Sequence, residues 1–165
     1  MLVAKDIMTR EVIAIEQSAS LRELSKLLSE RGITGVPVID KENNLIGMIS
    51  MRDLIREEVR SLGANLEYQD IYELFSSALN TEEAEGVSVR HLWVEEVMSR
   101  TLYTATESTP VCEIARIMHV YNVHRVPVLR DGKVVGLVTA MDVLKVIGEG
   151  EIICQRVKRQ RLDHG

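Results

Sequence analysis

Long apolar runs, cysteines and aromatic residues are scarce in this sequence. No run approaches the roughly 18 apolar residues of a membrane span, and the first ten residues lack the apolar stretch of a secretory signal. The two cysteines, Cys112 and Cys154, show neither CxxC spacing nor the framework of a disulfide-rich scaffold. These absences predict a cytoplasmic protein that makes no contact with a membrane.

Recognisable signatures of catalysis are missing as well. The sequence contains no nucleophile elbow, P-loop, HExxH motif or pair of carboxylates spaced for catalysis. Cys112 and His119 lie seven residues apart on a predicted helix. Because no third partner accompanies them, we interpret them as a core cysteine and a surface histidine. We therefore expect neither an enzyme nor a metal site.

Positive charge does not dominate the chain. Twenty Lys and Arg against twenty-five Asp and Glu give a formal net charge of −5, which argues against general nucleic-acid binding. Most basic residues are spread along the chain, and the one basic cluster is Gln155–Arg161 in the tail, residues 149–165. This tail could contact nucleic acid or an acidic partner, and the acidic segment of the same chain is the simpler partner.

An internal repeat organises the chain, whose 165 residues and 45% apolar content suit one domain or two very small ones. The matched positions are Val36–Val38 with Val126–Val128 at an offset of 90, then Gly47 with Gly136 and Asp53 with Asp142 at an offset of 89. The second copy lacks one residue in the polar turn that lies between the proline and the glycine, where a change in length disturbs no core contact. The two copies should therefore share one fold.

Each copy reads as one helix, a hairpin of two strands and a second helix, which predicts an α+β fold. The first helices carry matched apolar faces, formed by Leu21, Leu24, Leu27 and Leu28 in one copy and by Val111, Ile114, Ile117 and Met118 in the other. One copy alone is too small to bury these faces well. We expect the two copies to pack against each other about a pseudo-twofold axis.

The ends of the predicted elements are marked by capping residues and prolines. Ser20 with Glu23 predicts a capping box, and Thr109 before Pro110 predicts an N-cap followed by proline at the first helical position. A proline cannot donate a ladder hydrogen bond. Pro37 and its counterpart in the second copy should therefore lie at a sheet edge or where the sheet pauses beside a cleft.

A segment without a counterpart separates the copies. We assign residues 1–57 and 94–148 to the repeats, 58–93 to an acidic insertion and 149–165 to the basic tail. The insertion region carries the net negative charge of the chain, and one stretch, residues 68–79, has the apolar spacing of an amphipathic helix. We favour packing of this helix on the chain's own core or at a dimer contact over an external partner surface.

Both copies carry a motif that resembles the cystathionine beta-synthase (CBS) domain. In the first copy it is GITGVPVID at 32–40 and GMISMRDL at 47–54. In the second it is NVHRVPV at 122–128 and GLVTAMD at 136–142, with Asn122 in place of the first glycine and Arg130 in place of the aspartate. The resemblance implies a stand-alone tandem pair of β-α-β-β-α repeats with an inserted helical segment.

Tandem CBS pairs often bind AMP, ADP, ATP or S-adenosylmethionine in the cleft between their repeats. A carboxylate at a helix start can accept from both hydroxyls of a ribose, and the hydroxyl three residues earlier can donate to a phosphate. The resemblance implies two ligand sites, each spanning both copies. One comprises Asp53, Ser50, the backbone near Leu102 and Tyr103, His124, Arg125 and Pro127, and the other comprises Asp142, Thr139, Val12, Ile13, Thr34 and Pro37.

The two sites should differ in how well they hold phosphate. His124 and Arg125 resemble the basic pair of related energy-sensing modules, whereas the first copy offers Thr34 and Gly35 at the same place. The alternative is that the two aspartates, Asp53 and its counterpart, merely cap their helices.

These observations predict a non-catalytic regulatory or sensory module. We expect it to bind an adenine nucleotide or S-adenosylmethionine as a regulatory ligand, to use no cofactor, to form a homodimer and to signal to a partner protein that the sequence does not identify. The alternative is a structural dimerisation module with a vestigial cleft.

Overall fold

The computed structural model describes residues 1–61 and 92–150. The amphipathic stretch 68–79 of the insertion and the basic tail therefore lie outside the described residues. The helices are α1 (Ala4–Ile7), α2 (Leu21–Arg31), α3 (Met51–Ser61), α4 (Val94–Val97), α5 (Val111–Tyr121) and α6 (Ala140–Gly148). The strands are β1 (Ile15–Glu16), β2 (Gly35–Ile39), β3 (Leu45–Ser50), β4 (Ala105–Thr106), β5 (Arg125–Arg130) and β6 (Lys133–Thr139).

The strands form two three-stranded sheets, ordered β1-β2-β3 and β4-β5-β6. A two-residue strand pairs in parallel with the middle strand of each sheet, with Ile15 opposite Val38 and Ala105 opposite Val128. In the first sheet β2 and β3 pair antiparallel, as the predicted hairpin requires. The predicted α+β class is confirmed, and each copy contributes one of the two sheets.

The described residues divide into two compact units. We call the described residues of Val12–Leu102 and Gly132–Val134 the N-terminal unit, and those of Met1–Glu11, Tyr103–Asp131 and Val135–Gly165 the C-terminal unit. Each unit has its own apolar core.

The first helices of the two repeats supply matched core positions. Leu24 and Ile114, paired by the repeat, are fully buried. Leu28 and Met118, one turn further on, are buried as well. The predicted apolar faces are therefore confirmed.

The opening segment of each repeat packs in the unit of the other repeat. The amide of Ala4 donates to the carbonyl of Thr109 (2.8 Å), so that α1 belongs to the C-terminal unit. The amide of Val94 donates to the carbonyl of Ala19 (2.8 Å), which places α4 in the N-terminal unit. The sequence repeats and the packing units thus differ by an exchange of short segments, and the short helices α1 and α4 are additions to the predicted elements.

The helix ends show which capping predictions hold. The amide of Glu23 donates to Ser20 Oγ (3.2 Å) and the amide of Ser20 donates to Glu23 Oε2 (2.8 Å), so the predicted capping box forms. At α5 the N-cap is Pro110 rather than Thr109, because the Thr109 hydroxyl instead accepts from the amide of Thr106 (2.9 Å). The helix therefore begins one residue later than predicted.

Asn122 occupies the position where the first repeat has a glycine, Gly32. Both residues end their helices in the left-handed conformation, at φ 52° and 60°. Asparagine is the side chain that tolerates this backbone best after glycine. The departure from the motif therefore leaves the helix end unchanged.

Candidate functional site

In the N-terminal unit, the predicted ribose acceptor lies where β3 passes into α3. The amide of Ser50 and the Ser50 hydroxyl both donate to Asp53 Oδ2, at 2.8 and 2.6 Å. Asp53 Oδ1 lies 3.9 Å from a guanidinium nitrogen of the exposed Arg56. One carboxylate oxygen thus accepts two hydrogen bonds from its own helix start, while the other, among residues 1–61 and 92–150, lies near a single exposed cation.

The C-terminal unit repeats this arrangement at the start of α6. The amide and the hydroxyl of Thr139 both donate to Asp142 Oδ2 at 2.7 Å. The amide of Asp142 donates back to the Thr139 hydroxyl at 3.3 Å. Among the described residues, no bond of this last kind reaches Ser50, and Asp142 Oδ1 accepts no hydrogen bond.

These contacts show both aspartates capping their helices through one carboxylate oxygen and leave the other oxygen for a ligand. The four bonds to the two Oδ2 atoms stabilise the helix starts. Each carboxylate keeps a second oxygen with two lone pairs. The hydroxyls of Ser50 and Thr139, which were predicted to donate to phosphate, donate to their aspartates instead, so they must rotate before they can donate elsewhere.

A backbone contact brings one further predicted residue to each helix start. The amide of Met51 donates to the carbonyl of Thr34 (3.0 Å), and at the matched position the amide of Ala140 donates to the carbonyl of His124 (2.9 Å). The structure therefore places Thr34 with Ser50 and Asp53, and His124 with Thr139 and Asp142. The predicted ligand sites combine residues of both units and stay predictions.

The predicted basic pair lies at the start of β5. His124 is exposed and Arg125 is half-buried. Burial lowers the pKa of the Arg125 guanidinium from its ordinary value, although an arginine remains charged at neutral pH. The C-terminal unit therefore holds one accessible imidazole beside one partly desolvated cation.

Both motif prolines lie inside the middle strand of a sheet and are buried. Pro37 is opposite Met48 of β3, but β1 pairs only with Val38 and Ile39. The missing amide hydrogen of Pro37 thus falls just before the pairing with β1 begins, as expected for a place where the sheet pauses. Pro127 occupies the matched position before Val128.

The remaining predicted residues lie between the opening helices and the first strands. Val12, Ile13 and Leu102 are half-buried in the N-terminal unit, and Tyr103 is half-buried in the C-terminal unit. The ring of Tyr103 stacks on that of Tyr121, with centroids 4.0 Å apart and an interplanar angle of 17°. Nothing in the sequence spacing of these two tyrosines indicated this contact.

The interpretation of Cys112 needs a correction, because this residue is half-buried and disulfide-bonded. The sequence spacing showed no disulfide framework, and Cys154 lies outside the described residues. His119 is exposed, as interpreted. Across residues 1–61 and 92–150, no group of three His, Cys, Asp or Glu side chains could hold a metal ion. Over the same ranges, no helix combines the length and the apolar character needed to cross a bilayer.

Comparison with known proteins identifies both repeats. A family model of the CBS domain matches residues 4–60 and 94–149. Among curated proteins, the A-adding tRNA nucleotidyltransferase of Aquifex aeolicus is 30% identical over 90% of this chain and 15% of its own length. The L-aspartate semialdehyde sulfurtransferase of Methanocaldococcus jannaschii is 27% identical over 88% of this chain and 23% of its own length. The chain therefore spans less than a quarter of either relative.

A solved structure agrees in fold over nearly the whole chain. The CBS domain pair of protein MJ0100, in complex with 5′-methylthioadenosine and S-adenosyl-L-methionine, is 27% identical and superposes with a TM-score of 0.65. The match covers 91% of this chain and 98% of that one.

Proposed function

This chain belongs to the CBS domain family, and we propose that it is a non-catalytic regulatory module that binds an adenosine-containing ligand. The observation that carries the proposal is the carboxylate at the start of α3 and of α6, anchored through one oxygen and open at the other. The complex of the MJ0100 pair with two adenosine compounds supports this choice of ligand class.

The chemistry of the two helix starts suits a ribose. The open oxygen of Asp53 or Asp142 can accept from the vicinal hydroxyls, while the anchored oxygen keeps the carboxylate in place. The bonds that hold each carboxylate are already made before the ligand arrives, so binding does not have to order this side chain. Preorganisation of this kind lowers the entropic cost of binding.

We propose two sites of unequal chemistry. One uses Asp53 and Ser50 with Leu102, Tyr103, His124, Arg125 and Pro127, and the other uses Asp142 and Thr139 with Val12, Ile13, Thr34 and Pro37. Only the first site includes an imidazole and a guanidinium, from His124 and Arg125, which can donate to a phosphate. The first site should therefore prefer a nucleotide over a nucleoside, and the second should not.

Regulation would follow from a shift in the population of conformations. A ligand that bridges the two repeats favours one arrangement of the chain, and its differential affinity for the arrangements sets the size of the change. A partner protein of unknown identity would sense that arrangement. Where such a module is part of a larger protein, the rest of that protein would sense it.

A second candidate function is structural dimerisation. The observation that favours it is a group of exposed apolar side chains on α5 and α6. A purely structural module would dimerise without binding any adenosine compound, whereas the regulatory module should do both.

Calorimetric titration with adenosine, AMP, 5′-methylthioadenosine and S-adenosylmethionine tests the proposal. Asp53→Ala should weaken adenosine at the first site by about 10- to 150-fold, the range expected for hydrogen bonds to a charged group. Glu23→Ala is the matched control, because it removes the same kind of capping box from α2 but touches no proposed site. The control should lower the melting temperature and leave adenosine affinity unchanged.

A second variant separates phosphate from ribose recognition. Arg125→Ala should reduce AMP affinity much more than adenosine affinity, because the guanidinium is the proposed phosphate donor. An unchanged ratio of the two affinities would remove Arg125 from the site. No heat with any of the four compounds would leave structural dimerisation as the function.

A further inference from the structure

Two tyrosine rings from distant parts of the chain stack in the C-terminal unit. Tyr103 lies in the segment between α4 and β4, and Tyr121 is the last residue of α5. Their rings are 17° from parallel, with centroids 4.0 Å apart. Ile114 and Met118 anchor α5 in the core of this unit, so the helix offers a fixed support for the ring of Tyr103. The stack therefore ties the segment before β4 to a packed helix.

The segment that carries Tyr103 is irregular. Residues 101–104 belong to neither a helix nor a strand, and Leu102 and Tyr103 are half-buried. Among residues 1–61 and 92–150, no backbone–backbone hydrogen bond involves the amide or the carbonyl of either residue. A peptide group away from bulk water favours a hydrogen-bonding partner. These groups are therefore available to a ligand, and side-chain contacts rather than backbone bonds decide where they lie.

The first repeat has different side chains at the two stacked positions. At the offset of 90, Tyr103 corresponds to Ile13 and Tyr121 corresponds to Arg31. Ile13 is half-buried and Arg31 is exposed, and an isoleucine has no ring for a stack. The two segments nevertheless show the same order of exposed, half-buried and buried positions. The stack is therefore a property of the second repeat, added to a segment that both repeats share.

From this contrast we infer that Tyr121 is a positioning residue of the first proposed site, the one that contains Asp53 and Tyr103. Its ring holds that of Tyr103 and thereby fixes the amides and carbonyls of Leu102 and Tyr103 where they bind the adenine base. The inference rests on the proposed function and extends it to base selectivity. The Watson–Crick edge of adenine has an acceptor at N1 and a donor at N6, which a backbone amide and a carbonyl complement. Inosine has the donor and the acceptor exchanged, so a fixed amide and carbonyl should reject it.

The size of the effect depends on how often the segment has the binding arrangement before the ligand arrives. The apparent affinity of a ligand that binds one arrangement is lowered by the fraction of chains in that arrangement. An aromatic pair shifts such an equilibrium by about twofold to tenfold. Removing the ring of Tyr121 should therefore weaken adenosine at the first site by a factor within this range.

Calorimetric titration with adenosine and inosine tests the inference. An Asp142→Asn background isolates the first site, because an amide nitrogen cannot accept a ribose hydroxyl while the amide oxygen can still cap α6. In this background Tyr121→Ala should weaken adenosine by about twofold to tenfold and inosine less, so that the ratio of the two affinities falls. Tyr121→Phe keeps a ring for the stack and should restore both values. Unfolding of the chain would lower both affinities equally, which makes the ratio specific for positioning.

Two matched variants separate the stack from its surroundings. Val120→Ala removes the exposed apolar side chain next to Tyr121, and Arg31→Ala changes the position that matches Tyr121 in the first repeat. Both should leave the adenosine affinity and the adenosine-to-inosine ratio unchanged, since neither side chain belongs to the stack. Tyr121→Leu removes the ring but keeps an apolar side chain, and it repeats the main test if Tyr121→Ala does not fold.

The contrary outcomes are distinct. An adenosine affinity and a ratio that stay unchanged in Tyr121→Ala would overturn the positioning role and leave the proposed function intact. An equal loss for adenosine and inosine that Tyr121→Phe does not restore would overturn it in favour of a structural role at the end of α5. If the wild-type chain binds no adenosine compound, the proposed function itself fails, and the inference fails with it.

Discussion

The two units share matched core positions and aspartate-capped starts of α3 and α6 but fix the end of their middle strand in different ways. In the N-terminal unit, Asp40 accepts from the amides of Glu42 and Asn44 at 2.9 Å and from the Asn44 side chain at 3.0 Å. In the C-terminal unit, Arg130 instead donates to both carboxylate oxygens of Glu107, at 2.7 and 2.8 Å. The turn after β2 is closed by hydrogen bonds to the Asp40 carboxylate. The end of β5 is instead held by an ion pair between Arg130 and Glu107, the residue after β4.

This difference indicates where the repeat is constrained. Buried positions must match because they share one packing geometry, and a change there creates a cavity or an unsatisfied group. A solvent-exposed turn can be stabilised by either a hydrogen-bonded carboxylate or an ion pair. The substitution of arginine for the motif aspartate is therefore compensated by Glu107 rather than left without a partner.

The largest expected effect tests whether the matched cores are independent. Leu24→Ala and Ile114→Ala each remove a fully buried side chain and should each cost about 2–5 kcal/mol. Hydrogen exchange should show loss of protection mainly in the unit that carries the substitution. Equal loss in both units from either variant would mean that the two cores unfold as one.

Substitutions at two glycines test how closely the exchanged segments pack against the sheets. A Cβ at Gly47 would lie 2.5 Å from Met98 Sδ and 3.1 Å from the carbonyl oxygen of Ser99, whereas one at Gly136 would meet only side-chain atoms of Met8. Each alanine variant should cost about 1–3 kcal/mol in denaturant unfolding, with Gly47 the more costly, because a carbonyl yields less readily than a flexible side chain.

A double variant checks the cause of the glycine effect. Combining Gly136→Ala with Met8→Ala should cost less than the sum of the two single changes, because the clash disappears with the methionine. Full additivity would show that the close approach of Met8 is not what excludes a side chain at Gly136.

The helix starts should respond less strongly. Thr139→Ala should cost about 0.5–2 kcal/mol, the usual range for an N-cap. Ser50→Ala should fall at the lower end, because only Thr139 also accepts from the amide of its aspartate. Thermal unfolding of both variants measures the difference. Thr139→Ser keeps the hydroxyl and should restore most of the loss, while no restoration would contradict the capping role.

The smallest effect concerns the two strand ends and depends on pH. Hydrogen bonds from the Asn44 side chain and amide hold the pKa of the Asp40 carboxyl below its ordinary value. A carboxyl of this kind stabilises the fold above its unfolded pKa of about 3.9, and the stabilisation is lost as the pH falls through the lower folded value. Asp40→Asn should therefore lower the melting temperature at pH 7 but not in strong acid.

Arg130→Gln is the matched change at the other strand end. The hydrogen bonds and charge of Glu107 raise the pKa of Arg130 above its ordinary value, so this side chain stays charged across the accessible pH range. Its contribution should fall with added salt, since exposed ion pairs are screened. A salt-independent effect at Arg130 would contradict the ion-pair explanation.

The helices and strands could be predicted from the sequence better than the contacts between them. The apolar periods of α2 and α5, the hairpins and the helix starts near Asp53 and Asp142 follow from local spacing and capping chemistry, and the structure confirms them. The exchange of α1 and α4 and the stacking of Tyr103 on Tyr121 depend on contacts between distant parts of the chain. No local pattern encodes such contacts between distant residues.

The exchanged opening segment has a consequence for synthesis on the ribosome. Residues 1–11 are made before the residues that they contact, because the amide of Ala4 bonds to Thr109, roughly 100 residues later. At about 5–20 residues per second, this segment waits about 5–20 s for its partners. The described N-terminal unit draws mainly on residues up to 102 and can assemble earlier. This segment thus leaves the ribosome before its partners and is packed only after them, and the apolar residues Ala4 and Met8 remain available to chaperones until then.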